Sequence, residues 1–274
     1  MRKNALILGI IFSIFASASL FSQRSSPLAP INTDPNLQFI GMYVGFGQNF
    51  QAGKIYPSCL QCEFEKGNKF GFTAGLLYEY RLIKSLYIGT GLEYNYLGID
   101  AFFTEIEPQS IKIPINAADS ILEKVNIKFQ HEANVNIHNL ALVPYLKYQP
   151  FDFMFIRLGI GVGYNISSGF THKKTLAQNT VKLSNGETAA IKIPNESKNS
   201  VLEDGELLQA SPLQVYINPA LGFDLPLSDH LIFSPIFSYS NALMNIATRG
   251  IDPKVHYWRI MLELRYNITP DSDY

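Results

Sequence analysis

Charge is what this sequence has least of. Only 16% of its 274 residues are Asp, Glu, Lys or Arg, against about 25% in an average soluble domain. With 22 basic and 23 acidic residues, there is no basic field to hold nucleic acid. Beyond the extreme N-terminus, no stretch supplies the ~18 consecutive apolar residues of a transmembrane helix. A mean hydropathy of +0.04 is also too low for a helical membrane bundle. Glycine (19) and proline (15) are too few for a low-complexity or collagen-like chain. Aromatics, by contrast, are plentiful, with 15 Tyr and 19 Phe. What remains is a β-rich, aromatic-rich chain of low charge.

The N-terminus reads as an address. Arg2 and Lys3 precede an apolar core from Ala5 to Phe15, and the small residues Ala16, Ser17, Ala18 and Ser19 follow. This is the layout of a secretory signal peptide over residues 1–22, cleaved after Ala18 or Ser22. Residues 23–36, with three prolines, read as an extended periplasmic lead-in.

Period-two alternation dominates the rest. Eight segments carry it: Phe39–Gly47, Phe70–Leu82, Leu86–Leu97, Leu140–Tyr148, Met154–Asn165, Val215–Leu225, Leu231–Tyr239 and His256–Ile268. Successive strand side chains point to opposite faces, so each segment has one apolar face and one of glycines, tyrosines and charges. No Asp, Glu, Lys or Arg stands on any of the apolar faces. A charge on a lipid-facing strand position costs about 2–4 kcal/mol at mid-membrane, so this exclusion points to lipid. The connections alternate between short (near 83–85, 149–152 and 226–229) and long (48–69, 98–139, 166–214 and 240–255). Short periplasmic turns, long external loops and an even strand number are the pattern of outer-membrane barrels. The expected fold is all-β: an eight-stranded antiparallel up-and-down transmembrane β-barrel over residues 37–269, with long extracellular loops. Residues 270–274 form a short C-terminal tail.

The segments NKFGFTAGLLYEY (68–80), LALVPYLKYQP (140–150), FIRLGIGVGYNISSG (155–169) and IFSYSNALMNI (236–246) resemble strands of the outer-membrane β-barrel domain family. These are the PorT-like and OmpA-barrel-like proteins of Bacteroidetes-type Gram-negative bacteria. The resemblance runs from about Leu37 to Ile268. It implies an eight-stranded barrel and brings no catalytic residues.

Nine charges fall on the inward faces: Glu79, Arg81, Glu93, Lys147, Arg157, Asp224, Arg259, Glu263 and Arg265. They could line a pore or pair with one another. An eight-stranded lumen is just filled by side chains, and a lone charge there is badly solvated, so a paired, plugging network is expected. Arg157 is expected at its centre, given room by Gly159, Gly161 and Gly163, with Tyr43 and Tyr87 also folded inward. Pro144, Pro219 and Pro235 sit on outward positions of central strands and predict bulges or kinks.

Cys59 and Cys62, the only cysteines, lie in the first long interval and are expected to form a local disulfide in an oxidising setting. A zinc site would need two more ligands, and no His is near in sequence. A redox pair would need a thioredoxin-like context. His131, His138 and His172 could sit at the external rim, as in outer-membrane hydrolases, but no GxSxG supports a nucleophile, and exposed loop histidines are the expectation. The repeated IKIP of 111–114 and 191–194, with Asn185-Gly186 as a type I′ hairpin signal, predicts that the long loops continue the strands as a β-rich cap.

The functional expectation is a non-catalytic integral outer-membrane protein, with a structural or surface-interaction role carried by its long loops. Its partners would be outer-membrane lipid and the barrel-assembly machinery, without cofactor, metal or nucleic acid, and its extracellular ligand is unidentified. The alternatives are a small pore, a secretion-machinery component of the PorT-like kind, and a rim-located hydrolase.

Overall fold

A computed structural model describes residues 37–56, 62–114, 120–178, 180–182, 188–190 and 199–269. The signal peptide, lead-in and tail, together with Cys59 and the second IKIP, lie outside them.

Alternation of large apolar and small or polar side chains builds long strands. In chain order they are β1 (Gln38–Lys54), β2 (Gly67–Ile83), β3 (Leu86–Pro114), β4 (Ser120–Phe151), β5 (Met154–Leu176), β6 (Thr180–Lys182), β7 (Thr188–Ala190), β8 (Asn199–Glu206), β9 (Leu213–Phe223), β10 (Leu225–Pro226), β11 (Leu231–Ala242) and β12 (Ile251–Asn267). Every pairing is antiparallel. Strands β1, β2, β3, β4, β5, β9, β11 and β12 follow one another round a closed ring of 8, in which β12 returns to β1. At one end the connections are tight, with Lys84–Ser85 joining β2 to β3 and Asp152–Phe153 joining β4 to β5. The first and last strands meet at that same end, where Ile268 donates its backbone N–H to the Gln38 carbonyl at 2.9 Å.

Burial is inverted relative to a soluble domain. Met42, Leu76, Leu158 and Ile260 are 56–60% exposed, while their chain neighbours Tyr43, Leu77, Arg157 and Met261 are buried. The bulges expected at Pro144, Pro219 and Pro235 are absent, since register runs unbroken through all three. Each proline keeps a rung on one side only: Pro144 opposite Thr90, Pro219 opposite Leu158 and Pro235 opposite Leu262. A missing N–H costs a ladder bond to one neighbour and leaves the other ladder whole. The bulge near this part of the sheet is instead in β5, at Ile166, where pairing with β4 shifts between His138 and Asn139.

Among the described residues the two longest intervals are mostly strand, as the hairpin signal anticipates. The β2–β3 ladder ends at Ala101, yet β3 and β4 stay paired to Pro114 opposite Ser120, which is about 40 Å of further chain at ~3.3 Å per residue. Strand β5 accompanies them to Leu176, and β8 pairs with β5. A four-stranded rim sheet, β3–β4–β5–β8, thus stands beyond the ring. Strands β6 and β7 pair across Asn185-Gly186, which itself lies outside the described residues.

Two inward glycines are explained by tyrosines. A Cβ on Gly161 would sit 2.0 Å from Tyr216 Cζ, and one on Gly89 2.3 Å from Tyr145 Cζ. The room expected for Arg157 at Gly159, Gly161 and Gly163 is therefore used otherwise: Gly161 faces Tyr216, and Gly163 faces the Asn139 amide. Replacement Gly161→Leu is expected to lose about 1–3 kcal/mol through overpacking, and adding Tyr216→Ala should restore most of it. Denaturant unfolding of the two variants checks this, and a Gly161→Leu protein as stable as its parent would contradict it.

Candidate functional site

The lumen is filled in layers, beginning at the end with short turns. There, six of the nine expected charges meet. Arg265, from β12, donates Nη1 to Glu79 Oε1 at 2.7 Å and Nη2 to Asp224, with its Nε 3.0 Å from Glu263 Oε1. Lys147 lies 3.1 Å from Glu79 and 3.3 Å from Asp224. Arg157 grips Glu263 with two parallel bonds of 2.9 Å each and lies 3.8 Å from Glu79 Oε2. Three cations and three carboxylates therefore share one cluster, in which Arg265, Lys147, Glu79 and Glu263 are at most 1% exposed. Ser234 and Tyr145 donate hydroxyls to Asp224 and Glu79, so the carboxylates have hydrogen bonds beyond the ion pairs. Aromatic faces carry the cations as well: Lys147 lies 4.3 Å from the Phe155 ring and Arg157 4.3 Å from that of Tyr145. Desolvated cations gain most from such contacts.

The other three expected members stand apart. Arg81 donates to the Lys84 carbonyl at 3.0 Å beside the short turn. Glu93 accepts from Asn95 and the Tyr216 hydroxyl at 3.1 and 3.2 Å. Arg259 donates to the Asn49 side chain at 2.7 Å and to the Trp258 carbonyl at 2.9 Å, and a Cβ on Gly71 would come within 2.7 Å of its guanidinium. Among the described residues no carboxylate pairs with Arg259; amide and carbonyl dipoles hold it instead.

Between Glu93 and Arg157 a cavity of about 20 Å³ remains, lined also by Tyr43, Tyr145 and Asn218. That is room for roughly one water. Above it an apolar layer closes the ring. Ile55 and Phe64 of the first long loop, bridged by mutual backbone bonds of 3.0 and 3.2 Å, fold inward onto Ile99, Val135, Ile137, Phe170, Ile246 and Val255. Cys62 belongs to this layer and is disulfide-bonded.

Beyond the plug, on the inward face of the rim sheet, lies a buried histidine pair that the sequence did not disclose. His131 of β4 and His172 of β5 are 2% and 0% exposed, contrary to the expectation of exposed loop histidines. They are diagonal neighbours on one face, because His131 opposes Lys174 and Ala133 opposes His172. Their Nδ1 and Nε2 atoms lie 3.0 Å apart. Phe103 stacks on His131 at 4.5 Å, and Phe64 meets His172 edge-on at 5.4 Å. Burial holds the His131 imidazole below its ordinary range, and burial with His131 beside it pushes His172 down to about 4. Cys62 comes within 4.8 Å of both histidines, although neither is near it in sequence. His138 faces outward and bonds the Tyr94 hydroxyl, while His256 accepts from the Ala242 N–H at 3.1 Å.

No family model matches the chain. No curated protein matches it either. Among solved structures it is similar to the outer membrane protein OprG from Pseudomonas aeruginosa, at 13% identity over 88% of this chain and 100% of that one, with a TM-score of 0.38. It is also similar to Ail, the attachment invasion locus protein of Yersinia pestis, at 11% identity over 84% and 99%, with a TM-score of 0.33. A third is the outer membrane protease OmpT from Escherichia coli, at 8% identity over 88% and 99%, with a TM-score of 0.31. The eight-stranded ring rests on its own pairings, not on these distant likenesses.

The two kinds of buried arginine predict different losses. Arg157→Ala removes both bonds that Glu263 receives from it, leaves only Arg265 Nε beside that buried carboxylate, and is expected to cost about 3–5 kcal/mol. Arg259→Ala leaves only amide and carbonyl acceptors unpaired, at about 1–3 kcal/mol. Thermal unfolding in detergent measures both; equal losses, or an Arg157→Ala protein as stable as its parent, would contradict the assignment.

Proposed function

We propose that this protein is a non-catalytic integral outer-membrane β-barrel with a plugged lumen, whose surface interactions are carried by the rim sheet. The observation that carries this reading is the inverted burial. A closed ring with an apolar exterior and an ionised interior has no low-energy place in water, because its exterior would expose a continuous apolar belt. In a bilayer the same belt is solvated, and ring closure leaves no unpaired strand edge in hydrocarbon. Aromatic residues stand exposed near both ends of the belt, Tyr148, Phe151, Phe153 and Tyr266 towards the short turns and Phe46, Phe70 and Tyr164 towards the rim, where barrels carry their interfacial girdles. On this reading both termini and the short turns are periplasmic and the rim sheet is extracellular. Membrane lipid and the barrel-assembly machinery are then its partners.

A small pore would share the architecture, as would a PorT-like secretion component. The pore reading requires an aqueous path, against which stand a near-filled lumen and the apolar layer above it. A rim hydrolase would require reachable catalytic groups, whereas His131 and His172 lie buried against Phe103 and Phe64 respectively.

Purified in detergent, the protein is expected to migrate faster in gels before boiling than after, and to show no steady conductance in planar bilayers. Outward Leu158→Arg should destabilise it by about 2–4 kcal/mol in lipid. A robust ohmic channel would replace the plug with a pore, and a monomer soluble without detergent would end the membrane reading.

A further inference from the structure

The inward face of the rim sheet brings together donors that nothing in the plug uses. On its β3 side stand Glu105 and Glu107, half-buried, facing His131 across the ladder. Donor atoms of Glu105, Glu107 and His131 all lie within 4.8 Å of one another. His131 is 2% exposed, yet its Nε2 has no hydrogen-bond partner; the nearest carboxylate oxygen, Glu105 Oε2, is 3.7 Å away, beyond hydrogen-bond reach. The other ring nitrogen, Nδ1, is engaged by His172.

A neutral imidazole has one N–H and one lone pair. With His131 Nδ1–H donating to His172 Nε2, the bare Nε2 lone pair of His131 stands within 4.8 Å of donor oxygens of Glu105 and Glu107. With the proton on His172 Nε2 instead, the His131 Nε2–H still falls short of Glu105, and in either tautomer His172 Nδ1 is buried without a hydrogen-bond partner. Neither tautomer gives His131 Nε2 a partner, and a cation among the three Lewis bases does so in the first. The local charge leaves room for one: two carboxylates face a single ammonium, Lys174, which reaches Glu107 at 2.5 and 2.7 Å. Lys174 also lies 4.2 Å from the Phe129 ring, a second seat for it once Glu107 turns away.

We propose that Glu105, Glu107 and His131 hold a divalent transition-metal ion, Zn²⁺ by preference, on that face of the rim sheet. One imidazole and two carboxylates are a donor set that zinc accepts, with a position left for water. His172 is a positioning residue: it takes the Nδ1 proton of His131 and so turns the Nε2 lone pair towards the metal, as second partners of ligating histidines do. The site needs only the rim sheet and holds whether or not the barrel lies in a bilayer.

The test uses the full chain, oxidised, purified in detergent and stripped with chelator, then titrated with Zn²⁺ by calorimetry and with Co²⁺ by visible absorption. One ion per chain is expected. His131→Ala and the pair Glu105→Gln/Glu107→Gln should weaken binding at least ~10-fold, with gel heat-modifiability confirming that each variant is folded. His172→Phe should weaken it ~10–100-fold, and His172→Gln, whose amide oxygen can still accept the proton, should recover most of that. The proposal is overturned if the oxidised protein binds no metal or if the glutamine pair binds as well as wild type. It is also overturned if binding appears only after thiol reduction, which would assign the ion to Cys62, His131 and His172.

Discussion

The fold depends on one constraint, that charge placed inside a narrow ring be met there by opposite charge or by hydrogen-bonding dipoles. Glu79 on β2, Lys147 on β4, Arg157 on β5, Asp224 after β9, and Glu263 and Arg265 on β12 come from around the circumference and close on one another across it. A cation in that space without charged or dipolar partners is costly, because burial removes its water. The cluster therefore fixes register as well as filling space. Slipping β12 by one residue would turn Arg259, Glu263 and Arg265 outward and Ile260, Leu262 and Leu264 inward, since the side-chain period is two.

The lumen is closed by two different materials. At the end with short turns the closure is ionic and aromatic; at the other it is aliphatic and aromatic, with Ile55 and Phe64 brought in from the first loop. Between them Tyr43, Tyr145 and Tyr216 lie flat over Gly75, Gly89 and Gly161, so large rings fit where two side chains would collide. Above both closures the continuation of β3, β4, β5 and β8 forms a sheet beyond the ring, and its buried histidines are packed on one side by Phe64 of the first loop.

Strand identity and facing were legible in the sequence because both depend only on neighbours in the chain: Leu76, Leu77 and Tyr78 declare their faces by alternation. Partners across the ring were not. Arg157 and Glu263 are separated by 106 residues, and their meeting depends on the tilt and stagger of the closed sheet, which no local pattern encodes. The same blindness assigned the glycine run 159–163 to Arg157 rather than to Tyr216 and Asn139. It grouped Arg81, Glu93 and Arg259 with charges they do not touch. It also left His131 and His172 unconnected with Cys62, because only the inward fold of the first loop brings them together. Prolines misled in the other direction: an outward Pro on a closed sheet gives up one rung, and the second ladder keeps the strand straight.

The central claim is that the lumen is dry and closed from the ion cluster to the apolar layer, and labelling of a single introduced thiol tests it most directly. Ser238 points inward on β11 and is 2% exposed. In Ser238→Cys protein reconstituted into vesicles, a small water-soluble thiol reagent is predicted to leave the folded barrel unmodified from either side, and to react fully once the protein is unfolded by heat. Rapid labelling of the folded protein would contradict the account, because it would require water to reach the middle of the ring.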